Sequence, residues 1–307
     1  SAGLSVTETL DVLLGWHNAK SGSRPTVINM SIAAWDYIGI SGNTAYLWDN
    51  DNVTHISDTA TTGGTYRGAS HTVANPINWR ENYGFRGWDR GVEKNGIMSV
   101  PRHFPSIDAD IKSLVDAGMI LCIAAGNDNN KYVNPGDDDY DNNFVFTNGA
   151  THGLTDNKLY YMRADTPNFN GGDNSNNIPG LMVGALDTTP NSSTHDRKGD
   201  YSCTGSAVNV YTAGTSIKSS TKDSVYTTMT GTSMASPQIC GICALLLQVH
   251  PEWTPKQVMN WITNNATDKM YSAGSTDFTD NYSLLGGQAK VAYFPMNGQK
   301  PFTISGS

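Results

Sequence analysis

Basic charge is scarce in this chain: 20 lysines and arginines stand against 28 aspartates and glutamates, a net charge of -8. A protein that holds nucleic acid by electrostatics needs a basic face, so that class is excluded. Long apolar runs are scarce too. The best, 239–249, falls short of the roughly 20 apolar residues that span a membrane, so no membrane partner is expected. Cysteine is limited to Cys122, Cys203, Cys240 and Cys243, too few for a disulfide scaffold across 307 residues. Cys240-x-x-Cys243 has the spacing of a redox or zinc half-motif. It lies in an apolar helical run with no second pair nearby in sequence, so these thiols read as small core residues. Ser1-Ala2-Gly3 lacks the basic start and apolar centre of a secretory signal, and a first residue other than Met reads as a start made by cleavage or by design.

What is present is enough apolar residue, 38%, for one large core or two modest ones. Val6, Leu10, Leu13 and Leu14 share one helical face, with a stop expected near Gly22. Thr26-Val27-Ile28-Asn29-Met30 follows as a buried strand. The order then repeats. Ser106 is placed to cap a helix with Asp108 and Asp110 in its first turn, Gly118 ends it, and 119–124 is a continuous apolar strand. Helix, strand, helix, strand with buried strands predicts a mostly parallel sheet covered on both faces, a three-layer α/β fold. Residues 181–186 and 208–211 are further strands, and a helix runs from Ser233 to about His250. Thr254-Pro255-Lys256-Gln257 is a capping box with proline in the first turn of a last helix. Residues 32–105 are polar with no periodic run and read as a long irregular insertion; 285–307 reads as an irregular tail.

The chemistry concentrates at "GTSMASPQICG", residues 231–241. Gly231 permits a tight turn. Ser233 then falls at a helix N-terminus, where unsatisfied N–H groups favour developing negative charge. With "VINMS" at 27–31 and "CIAAGND" at 122–128, in that order, the segment resembles the nucleophile region of the subtilisin-like serine peptidases. "LMVGALD" at 181–187, 201–215 and "HPEWTPKQV" at 250–258 are lesser matches. The resemblance implies a subtilisin-like fold and peptide-bond hydrolysis through a serine acyl-enzyme. It implies Ser233 as nucleophile, Asn127 as oxyanion donor beside the Ser233 N–H, and no obligatory cofactor. It also implies a polypeptide substrate held between Ser31, Ile32 and Ala33 on one side and Ala124, Ala125 and Gly126 on the other. The family usually carries glycine where Ala33 and Ala34 stand, so two added methyl groups bear on specificity.

The family's Asp and His segments come before the substrate strand, and neither an Asp-Thr-Gly strand end nor a His-Gly-Thr helix start occurs in these residues. Asp58, His71, His17 and His195 are poor substitutes by context. The chain therefore reads as 1–307, the C-terminal part of a subtilisin-like catalytic domain whose His and Asp come from a separate N-terminal fragment of the same precursor. The alternative is a catalytically inactive module on the same frame, such as part of a virus particle. Asp137, Asp138, Asp139 and Asp141, or Asp49 and Asp51, could offer oxygens to calcium, which the family often binds. Neither run forms a recognisable loop pattern, so no metal site is assigned and both read as solvated acidic loops. Secreted and particle-associated locations both stay open.

Overall fold

A computed structural model describes residues 5–22, 24–32, 35–41, 44–48, 55–71, 97–101, 105–152, 154–164, 180–189, 195–222, 225–272 and 274–292. Helix α1 (Val6–Ala19) begins at Ser5. The Ser5 Oγ accepts from the Glu8 N–H, and the Glu8 carboxylate accepts from the Ser5 N–H. This reciprocal cap satisfies two helix-end donors at once. The helix stops at Ala19, before the Gly22 expected from sequence.

Strand β1 (Val27–Met30) pairs in parallel with a strand over Ile120–Ala124, and that strand pairs with two more, over Gly180–Leu186 and Val210–Ala213. Between β1 and Ile120, the residues without periodicity nevertheless hold five strands: β2 (Trp35–Ser41), β3 (Thr44–Trp48), β4 (His55–Tyr66), β5 (Ala69–His71) and β6 (Ile97–Pro101). They form an antiparallel sheet that also takes in β8 (Asn143–Phe146) and β9 (Lys158–Tyr160). Hairpin pairing, rather than a continuous apolar run, defines these strands. Ser41 pairs with Thr44 across the dipeptide Gly42-Asn43, and Tyr66 pairs with Ala69 across Arg67 and Gly68, both at positive φ. The remaining elements are α2 (Pro105–Asp116), β7 (Ile120–Ala124), β10 (Gly180–Leu186), β11 (Val210–Ala213), β12 (Ile217–Ser220), β13 (Tyr226–Met229), α3 (Thr232–Val249) and α4 (Pro255–Asn264). Helix α2 starts at Pro105, so Ser106 sits inside the first turn rather than capping it. The capping box of α4 forms as expected, with Thr254 Oγ1 accepting from Gln257 N–H.

Alternate residues of the parallel strands feed opposite cores, because strand side chains point to alternate faces. Ile120 and Cys122 of β7 pack with Ala235, Ile239, Cys243 and Val258 beneath α3 and α4. Leu121 and Ile123 pack with Leu10, Ile111 and Leu114 beneath α1 and α2. Burial on both faces explains why β7 and β10 read as unbroken apolar runs, whereas Asn29 of β1 is exposed. The β11 edge is closed by the chain near its end, where Ala292 N–H donates to Tyr211 O (2.8 Å). The β1 edge carries no strand among the described residues.

Counted from Thr232, α3 is an 18-residue helix without a charged residue, long and apolar enough by composition to cross a membrane. Ala235, Ile239, Cys243, Leu246 and Leu247 sink one face into the sheet, which is the behaviour of a core helix. Its other face is exposed at Pro237, Gly241, Ala244, Leu245, Gln248 and Val249. All but one of these are small or apolar, an unusual surface for a solvated helix.

The acidic run at 137–141 is solvated only in part: Asp138 and Asp141 are exposed, as expected of such a loop, but Asp139 is not. Asp139 is fully buried and accepts from Arg67 Nε (2.7 Å) and Nη2 (2.9 Å), Lys131 Nζ (2.6 Å) and Asn142 Nδ2 (2.9 Å). Periodicity carries no trace of this, since Arg67 and Asp139 meet only when β4–β5 pairs with β8. Burial alone would raise the Asp139 pKa. The bonds from Arg67 and Lys131 outweigh it and bring it down to about 2. A carboxylate depressed in the folded state stabilises the fold above its unfolded pKa and loses that contribution as pH falls from about 4 towards 2. Asp139→Asn is expected to cost about 3 kcal/mol at neutral pH, because the buried Lys131 loses its closer carboxylate and keeps only the longer contact to Asp137 (3.4 Å). Chemical denaturation at pH 7 and pH 2.5 checks this: the gap between the two proteins should narrow at the lower pH.

Candidate functional site

Three segments meet where β7 ends and α3 begins. Ala125 N–H donates to Val183 O (2.9 Å), continuing the sheet one residue beyond β7. Gly126 then turns the chain at φ 102, where an added Cβ would lie 3.1 Å from the Cys203 Sγ. Asn127 follows, half-buried, against Gly231 and Thr232. A Cβ on Gly231 would stand 3.3 Å from Asn127 Nδ2, so glycine lets the two segments close on each other.

The hydrogen bonds here leave no freedom in the Asn127 amide. The Gly126 N–H donates to Thr232 Oγ1 (3.1 Å), so that hydroxyl directs its own hydrogen to Asn127 Oδ1 (3.0 Å). The Thr232 N–H donates to the same Oδ1 (2.9 Å). Both are donors, which identifies the atom as the carbonyl oxygen. Nδ2 is thereby turned to the other side, where it has no hydrogen-bond partner among the described residues. Sequence reasoning missed Thr232, although it lies inside the quoted motif; a threonine before a helix reads as a cap until the strand it faces is known.

Ser233 is the second residue of α3 and half-buried. Its Oγ has no hydrogen-bond partner among the described residues, while its C=O accepts from Ser31 Oγ (3.1 Å). Ser31, just past the end of β1, therefore lies at the same sheet edge as Asn127. Ile32 beside it is 50% exposed, whereas Ala124 and Ala125 are buried at the end of β7. Ala33 and Ala34 lie outside the described residues, as do Asp49 and Asp51.

The family is decided by sequence comparison over the same region. The sequence model of the Subtilase family, Peptidase_S8, matches residues 17–282. The chain belongs to the subtilase family. Subtilisin BL from Lederbergia lenta is 33% identical over 97 residues, 32% of this chain and 32% of that protein. Subtilisin E from Bacillus subtilis is 38% identical over 87 residues, 28% of this chain and 21% of that protein. These matches thus span a third or less of the length of each relative. Among solved structures, a cold-adapted subtilisin-like serine proteinase shares 18% identity at a TM-score of 0.46, over 95% of this chain and 63% of that one.

Four of this subtilase's histidines have described side chains, and each is held elsewhere. His17 Nδ1 meets Thr26 Oγ1 (2.7 Å) at the start of β1, the opposite end of the sheet from Asn127. His71 packs edge-on against Phe144 in the antiparallel sheet, where burial lowers its pKa. His195 is exposed beside the bridge from Asp196 to Met270. His250 stacks on Trp253 beyond the far end of α3, and an 18-residue helix is about 27 Å long. The side chain of Asp58 is outside the described set. The cysteines are all free thiols; Cys122 Sγ lies 3.8 Å from Cys243 Sγ, so Cys122 joins in space a pair that looked isolated in sequence. Among the described residues no group of three or more His, Cys, Asp or Glu side chains is arranged to hold a metal.

Thr232→Val removes the hydroxyl that accepts from Gly126 and orients Asn127. It is expected to lose about 1–3 kcal/mol through the orphaned N–H. Thr232→Ser, which keeps the oxygen, should lose much less. Equilibrium unfolding of the two variants measures the difference.

Proposed function

We propose that this chain carries the nucleophile and the oxyanion donors of a serine endopeptidase, with His and Asp supplied by a separate N-terminal segment of the same precursor. The Ser233 Oγ attacks the scissile carbonyl carbon and its proton passes to the incoming histidine. The carbonyl oxygen becomes an oxyanion that accepts from Asn127 Nδ2 and the Ser233 N–H. The amine product leaves with the proton, and water then releases the acyl group from Ser233. The polypeptide substrate lies between residues 31–33 and 124–126.

The observation that carries this reading is the orientation of Asn127: Thr232 holds its Oδ1, and its Nδ2 has no hydrogen-bond partner among the described residues. Two further features support the supplied base. Thr26 O accepts from Ile120 N–H (2.9 Å), so the backbone groups of the alternate residues Val27 and Asn29 face away from β7 and lack a strand partner among the described residues. The exposed apolar stripe of α3 is continuous with that edge: Val27, Ala244, Leu247 and Gln248 line one cavity of about 630 Å³ with Arg24, Pro25 and Pro251. An incoming strand and its helix would cover both.

Calcium has no place at 137–141 in this reading. Asp139 and Asp137 are engaged by Lys131, Arg67 and Ser206, and Asp141 by Arg163, so three of the four carboxylates already have internal partners.

The inactive-module alternative is favoured by one observation, the lack of a described histidine near Ser233. A fluorophosphonate separates the two. In the native preparation it should label Ser233, and denaturing electrophoresis should resolve a second polypeptide. A 33.1 kDa chain that is alone and unlabelled would refute the proposal. Asn127→Leu should lower kcat by about 10²–10³-fold, the magnitude known for subtilisin's own oxyanion asparagine, with KM nearly unchanged. Equal losses in both would contradict the role.

A further inference from the structure

Behind Asn127 lies a charge that the proposed mechanism does not use. Lys198 is fully buried, and its Nζ donates to Asn129 Oδ1 (2.8 Å), Ser202 O (2.9 Å) and Gly199 O (3.0 Å). Three acceptors use all three N–H donors of an ammonium group. Burying such a charge is costly unless every donor is satisfied, and here each is. The backbone that carries it is anchored as well: Lys198 bridges Leu186 at the end of β10, and the next residue, Gly199, donates its N–H to Ala185 O (2.8 Å).

The ammonium joins two segments. The first is the tight turn at 199–202, closed by Ser202 N–H to Gly199 O (2.9 Å). The second is the loop that follows β7. The turn and its continuation grip that loop on both sides of Asn127: Cys203 N–H donates to Gly126 O (3.0 Å), Asn129 N–H to Tyr201 O (2.8 Å), and Thr204 N–H to Asn130 O (2.9 Å). Asn129 itself stands at φ 52, a left-handed conformation that a residue with a side chain keeps only when held. Its amide is held at both ends, by Lys198 at Oδ1 and by Asn281, which accepts from Nδ2 (3.2 Å). Thr232 thus sets which way the Asn127 amide faces, while the backbone that carries Asn127 is set from behind.

We infer that Lys198 is a positioning residue for Asn127: its buried ammonium ties the 199–202 turn to Asn129 and so fixes the backbone from which the oxyanion donor projects. The inference rests on the proposed peptidase reading for its kinetic consequence, but not for its structural one. The test uses the complete native protein in two variants. Lys198→Met keeps the stem and removes the ammonium. Asn129→Gly keeps the left-handed backbone and the lysine but deletes the acceptor, which guards against a Lys198→Met protein that fails to fold. In both, kcat on a peptide substrate is expected to fall by about tenfold to 10²-fold with KM within about twofold, as for a small misplacement of a catalytic group. Crystal structures of the variants should show Asn127 Nδ2 displaced by about 1 Å relative to Ser233. An unmoved Asn127, or an unchanged kcat in both variants, overturns the inference. Should the unsubstituted protein show neither turnover nor fluorophosphonate labelling, the peptidase reading falls, and the displacement of Asn127 alone then decides the role of Lys198.

Discussion

The rest of the site depends on a small closed ring of hydrogen bonds, in which Gly126 N–H, Thr232 Oγ1, Thr232 N–H and Asn127 Oδ1 join the end of β7 to the start of α3. Strand and helix come from distant parts of the chain, and this ring sets their register at the sheet edge where ligands of α/β folds gather. Two glycines allow the approach and one threonine hydroxyl closes it. The other members are satisfied within the ring, and Asn127 Nδ2 has no hydrogen-bond partner among the described residues. Preorganisation of this kind is worth most in a water-poor site, since no dipole has to reorient as charge develops.

The ring stands on an asymmetric sheet. On the β11 side the chain returns to close the edge through Tyr211 and Ala292. On the β1 side, outward-facing backbone groups adjoin an exposed apolar stripe of α3. Unpaired edges and apolar helix faces are surfaces that folded proteins normally cover. Ser233, the proposed nucleophile, sits at the N-terminal end of that same helix. Whatever covers the stripe therefore approaches Ser233, and this is the geometric reason for proposing that the base comes on an incoming segment.

How much of this was legible in the sequence varied with the kind of force involved. Burial on both faces leaves continuous apolar runs, so β7 and β10 could be read almost to the residue, and a reciprocal cap such as Thr254 with Gln257 announces itself locally. The nucleophile segment was legible because a glycine, a serine and a small-residue helix have to be adjacent in the chain. Pairing of polar strands leaves no such imprint, and β2 to β6 were hidden for that reason, although Gly42-Asn43 was a hairpin signal in plain view. Long-range polar contacts were invisible altogether. Asp139 looked like part of a solvated loop until Arg67 and Lys131 reached it, and no local pattern around Lys198 marks it as buried.

The central claim is that a strand-bearing segment docks along β1 and completes the site. Amide hydrogen exchange at Val27 and Asn29, whose N–H groups face the open edge, tests it most directly. In the native preparation both amides are expected to exchange far more slowly than in the isolated 307-residue chain, with protection extending to the 241–249 face of α3. Equally rapid exchange at Val27 and Asn29 in both samples, in a preparation whose Ser233 still reacts with a fluorophosphonate, would contradict it.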